Sequence, residues 1–61
     1  MKRKYRIIIF TTEGVIDRKF YKKEIAIRTI IKFKEYFDDF KIGLLQKKIE
    51  GEWTTVSWIK K

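Results

Sequence analysis

Apolar residues change their spacing twice along this chain, and the changes divide it into five elements. Residues 4–12, "KYRIIIFTT", are rich in β-branched and aromatic side chains and predict a strand. "TTEGV" follows, where Gly14 can take the left-handed conformation that a short hairpin loop with a bulge requires. "VIDRKF", residues 15–20, predicts a second and weaker strand. From Phe20 to Phe40 the apolar residues switch to helical spacing. "FKIGLLQKKI", residues 40–49, predicts a third strand, Glu50-Gly51 a tight loop that is a poorer relative of Asn-Gly, and "WTTVSWIK" a fourth strand. The pattern is ββαββ: one small α+β domain over residues 1–61, with a four-stranded, mainly antiparallel sheet and one helix packed on one face.

On a helical wheel at about 100° per residue, Ala26, Ile30, Phe33 and Phe37 form the centre of the apolar arc. Ile27 and Ile31 widen it on one flank, Ile25 and Tyr36 on the other. A helix lying on one sheet needs an apolar stripe of about 100°, and this arc is roughly twice as wide, broken by Lys23 and Lys34, whose stems can cover apolar surface. One four-stranded sheet cannot wrap so much of a helix, so the excess predicts a second copy packed against the flanks. The polar arc compensates itself through Glu24 with Arg28 and Lys32 with Glu35.

Strand alternation sorts the sheet positions onto two faces. In the first strand Tyr5, Ile7 and Ile9 oppose Lys4, Arg6, Ile8 and Phe10. In the third, Phe40, Ile42 and Leu44 oppose Lys41, Leu45 and Lys47; in the fourth, Val56 and Trp58 oppose Trp53, Thr55, Ser57 and Ile59. The first set of each is the more apolar and is expected to face the helix. Trp53 and Trp58, an odd number of residues apart, then fall on opposite faces, Trp58 in the core and Trp53 outside, unless the alternation slips by one residue after the Glu50-Gly51 turn. For Ile16, Arg18 and Phe20 against Val15, Asp17 and Lys19 the pattern leaves the faces open.

Size sharpens the expectation of assembly. A chain of 61 residues buries only ~60% of the surface its unfolded form exposes, and small domains usually compensate with disulfides, a metal or oligomerisation. Without Cys or His, disulfides and Cys/His zinc sites are excluded. Self-association is left, as a homodimer whose interface candidates are Ile25, Ile27, Ile31 and Tyr36 on the helix and Ile8, Leu45 and Ile59 on the sheet. The longest apolar run, Ile7 to Phe10, is too short to span a membrane. It also lacks a following small-residue cleavage site, so "MKRKYR" is not read as a leader and a cytoplasmic protein without membrane insertion is expected.

Sixteen Lys and Arg against eight Asp and Glu leave a net charge of +8, and residues 1–12 hold four units of that excess. Such a balance favours polyanionic partners, nucleic acid or an acidic protein surface, and also serves solubility alone. Catalytic chemistry is thin. The usual His general base and Cys nucleophile are missing, Ser57 and the threonines have no activating partner, and no glycine-rich phosphate loop is present. Asp38-Asp39 is the one adjacent acidic pair, and helical neighbours diverge by about 100°. The expectation is a non-catalytic protein with no cofactor, no metal and no evident small-molecule substrate.

Binding through the outer sheet face has more support. Lys2, Arg3, Lys4 and Arg6 supply charge there, with Lys41 and Lys47 beside them, and Phe10 and Trp53 supply aromatic rings on which bases can stack. The first reading is therefore nucleic-acid binding. The same face suits a protein interface, where aromatic residues and Arg are also enriched. In composition and layout, tiny, Lys-rich, Cys-free and hairpin-helix-hairpin, the chain resembles the small accessory proteins of phages and mobile elements. That resemblance implies the alternative, an inhibitor or adaptor that binds and blocks a host protein.

Overall fold

The computed structural model describes residues 2–61. Among them are β1 (Tyr5–Thr11), β2 (Gly14–Phe20), α1 (Lys23–Tyr36), β3 (Phe40–Ile49) and β4 (Glu52–Lys60). The sheet order is β2-β1-β3-β4 and every pairing is antiparallel, which is the ββαββ arrangement expected from the spacing. α1 carries the chain from one edge strand, over β1, to β3, and lies on one face. The molecule measures 34 × 18 × 16 Å. Its long axis matches a ten-residue strand at ~3.4 Å per residue, whereas the 14 residues of α1 span only about 21 Å. The β3–β4 hairpin thus projects beyond β1 at one end of the sheet.

Directly paired residues share a face, so the register assigns every strand position. Toward α1 lie Ile7 and Ile9 with their partners Leu45 and Gly43, Ile16 and Phe20 of β2, and Ile59, which pairs with Gly43. Ile7, Ile9, Ala26, Ile30, Phe40 and Leu45 form the buried core, and Tyr5, Ile16, Phe20, Ile27, Phe33 and Ile59 pack around it. Strand two, left open by alternation, therefore turns Ile16, Arg18 and Phe20 to the helix side and Val15, Asp17 and Lys19 outward.

Two bulges correct the expected faces of β3 and β4. Phe10 pairs with Ile42 but Thr11 with Phe40, so Lys41 is an extra residue on β3. Phe40 is buried, yet Ile42 and Leu44 point outward, and Leu45 is core at 1% exposure. Leu45 is thus not on the outer face and is no interface residue; Ile59 also belongs to the helix side, and Lys47, opposite Tyr5, does too. On β4, Leu45 pairs with Ser57 and Gln46 with Thr55, leaving Val56 as the extra residue. A bulge of this kind shifts the alternation by one. Trp53 opposite Lys48 and Trp58 opposite Leu44 therefore share the outer face. Trp58, expected in the core, is 61% exposed.

Gly43 sets how closely α1 approaches. A Cβ there would lie 2.5 Å from Ile30 Cγ2 and 3.2 Å from Ile9 Cδ1, so the helix rests on bare backbone at this position. Ala26 and Ile30 are buried by the contact, while Ile25, Ile31 and Tyr36 stay exposed on the single chain. The apolar arc of α1 is indeed wider than the sheet covers. At the β3–β4 turn, Glu50 (φ 50°) and Gly51 (φ 82°) both take positive φ, the signature of the type I′ hairpin turn.

Candidate nucleic-acid interface

One end of the sheet gathers cations from three separate stretches of chain. The projecting β3–β4 hairpin forms one wall and residues 2–4 another, tied together where the Lys48 N–H donates to the Lys4 carbonyl at 2.8 Å. Between them, and reaching to the end of β2, is an open concavity of about 730 Å³. Six of its lining residues are cations: Lys2, Arg3 and Lys4 before β1, Lys19 on β2, and Lys47 and Lys48 on β3. Tyr21, Trp53 and Gly51 complete it, and none of the nine lining residues is acidic. Glu50 and Glu52, exposed on either side of Gly51 at the hairpin tip, flank the concavity in the chain without lining it.

Both aromatic residues of the concavity carry cations against their rings. The Arg3 guanidinium carbon lies 5.3 Å from the Tyr21 centroid, while that of Arg6 lies 4.8 Å and the Lys48 ammonium 5.4 Å from the Trp53 centroid. These distances fall within the ~6 Å reach of the cation–π attraction.

Arg6 is itself held by a polar ladder that crosses the outer face from edge to edge. Its Nε donates to Gln46 Oε1 at 2.8 Å, its Nη2 donates to the same oxygen, and Gln46 Nε2 donates onward to Thr55 Oγ1 at 3.0 Å. On the other side Arg6 Nη1 faces Asp17 Oδ2 at 3.9 Å, a pair too open and too exposed to add more than ~1 kcal/mol. The ladder touches β2, β1, β3 and β4 in turn. It commits the Arg6 guanidinium to orienting the Trp53 ring.

Of the residues expected at the site, Lys2, Arg3, Lys4, Lys47 and Trp53 meet at the concavity, and Arg6 stands behind Trp53. Phe10 and Lys41 do not join them. Phe10 pairs with Val15 and Ile42, and Lys41 bulges next to Phe40, both toward the opposite end of the sheet. There Phe10, Val15, Ile42, Leu44 and Trp58 form an uncovered apolar patch with Ile8. Lys19, Tyr21 and Lys48 were missed by sequence reasoning. Lys19 and Lys48 were both recoverable, because a two-residue loop at Thr12-Glu13 sets Lys19 opposite Arg6 and the two-residue turn at Glu50-Gly51 sets Lys48 opposite Trp53, ahead of the β4 bulge. Among the described residues no group of three or more Asp and Glu gathers as a metal site, and no helix is long and apolar enough to cross a membrane.

Fold and site together define a small α+β protein with a basic, aromatic-walled concavity at one end of its sheet. No family model, curated protein or solved structure matches the chain.

Proposed function

We propose that this is a non-catalytic nucleic-acid-binding protein that holds phosphates in the concavity bounded by residues 2–4, β2 and the β3–β4 hairpin. One observation carries the reading: six cations and two aromatic rings converge on a single concave surface whose lining includes no carboxylate. Cations in that arrangement neutralise a run of phosphates, and the rings accept bases. Affinity should then fall with salt. Full engagement of the six cations gives a log–log slope of about −4 on a single strand, at roughly −0.7 per phosphate. Replacing Lys2, Arg3 and Lys4 by Ala should flatten the slope by about 2. Fluorescence anisotropy with a labelled oligonucleotide across a salt series measures both, and salt-independent binding would refute the reading.

The apolar end of the outer face supports a second reading, a protein interface. Val15, beside Phe10, and Trp58, opposite Leu44, are each 61% exposed. A blocking role on another protein would use that patch, and a second copy of the chain would suit the exposed helix flank Ile25, Ile31 and Tyr36. A nuclease-resistant complex in a lysate pull-down that is lost on Trp58→Lys would favour this reading over the first.

A further inference from the structure

We propose that the concavity takes an unpaired strand and not a duplex, with Tyr21 and Trp53 as the two platforms on which bases stack. The inference rests on the nucleic-acid reading above. Tyr21 follows β2 at one edge of the sheet and Trp53 lies on β4 at the other. With three strand spacings between the edges, the backbones that carry the two rings stand about 14 Å apart. They are therefore separate platforms along one path, with Arg3 beside Tyr21 and Lys48 beside Trp53 for the adjoining phosphates. Tyr21, 52% exposed, is the more open of the two. Bases inside a duplex are already stacked on one another and cannot reach such rings, whereas an unpaired base can.

Shape and charge point the same way. About 730 Å³ of open space is on the scale of sites that hold a molecule of drug size, which suits a strand laid across the sheet end. To read a duplex, a protein inserts a helix or a two-stranded ribbon into the major groove. Here no residue of α1 lines the concavity, and the polar arc of the helix is balanced by Glu24 with Arg28 and Lys32 with Glu35. The one projecting ribbon, β3–β4, ends in Glu50-Gly51-Glu52, and its two carboxylates would be driven toward the phosphates on either side of a groove.

The test uses the full chain with a labelled oligothymidylate of roughly ten nucleotides, within the span that single-strand binders cover. The same oligonucleotide annealed to its complement, and inorganic polyphosphate as a charge-only competitor, are measured at one salt concentration. The expected result is binding about tenfold or more tighter to the single strand than to the duplex. Tyr21→Ala and Trp53→Ala should each weaken single-strand binding by about 5- to 150-fold and leave duplex binding unchanged. Tyr21→Phe and Trp53→Phe should keep most of the affinity, which separates loss of a platform from loss of the fold. Equal or tighter duplex binding, or polyphosphate competing as well per phosphate as oligothymidylate, overturns the inference while the concavity still binds anions. Binding of none of the three probes overturns the nucleic-acid reading itself.

Discussion

Substituting Ala at Gly43 tests the contact that seats the helix on the sheet. The added Cβ would sit 2.5 Å from Ile30 Cγ2, 3.2 Å from Ile9 Cδ1 and 3.4 Å from Phe40 Cε2. Carbon atoms prefer about 3.5–4.0 Å, so the Ile30 contact is short by about 1 Å, and Ile30 and Ile9 are both fully buried. Either α1 lifts or Ile30 leaves its rotamer, and overpacking of this kind costs about 1–3 kcal/mol. Against it, removing Gly from a strand interior returns about 0.5–1 kcal/mol. The net expectation is a loss of about 1–2 kcal/mol, a Tm lower by about 5–15 °C for a domain this small. At 61 residues the total stability is only ~3–9 kcal/mol, so the loss is readily seen in urea or thermal melts followed by circular dichroism. The double variants sharpen it. Ile30→Leu removes the Cγ2 branch and should restore most of the loss in the Gly43→Ala background. Ile30→Val keeps Cγ2 and should restore nothing. A Gly43→Ala protein as stable as the parent, or equal rescue by Leu and Val, would refute the reasoning.

Two further substitutions test the hairpin and the reassigned faces. Glu50→Asn should stabilise by about 0.5–1 kcal/mol, because Glu50 sits at φ 50° and Asn tolerates that region at lower cost; an unchanged urea midpoint would contradict the type I′ turn. Leu45→Ala should cost about 2–5 kcal/mol, whereas Trp58→Ser, at a position 61% exposed, should cost no more than ~1 kcal/mol. If thermal melts reverse that order, the bulge at Val56 is misplaced and Trp58 is the core residue.

Local chemistry was enough to determine the elements of this protein. The switch from β-branched runs to helical spacing at Phe20, the first hairpin and the turn at Glu50-Gly51 each depend on neighbours a few residues away, and the strands and helix form where those signals lie, although the first loop is Thr12-Glu13 without the expected bulge and Gly14 opens β2. The same holds for β1, whose inward set Tyr5, Ile7 and Ile9 is uninterrupted, and for the wide apolar arc of α1. Basic character at the chain start was equally plain, and Lys2, Arg3 and Lys4 do line the concavity.

What tertiary structure decided was the faces of β3 and β4, and with them the surroundings of both indoles. Phe40 and Leu45 are five positions apart, and strict alternation cannot bury both. Packing under α1 buries both, because exposed Lys41 is looped out to absorb the odd residue. Val56 does the same on β4, between Ser57 on the helix side and Thr55 on the outer face. Period-2 reasoning carries no information about such an insertion, since the reward comes from a helix and a strand distant in the chain. The two tryptophans consequently share one face. One is ringed by the cations of the concavity, and the other stands in the open apolar patch.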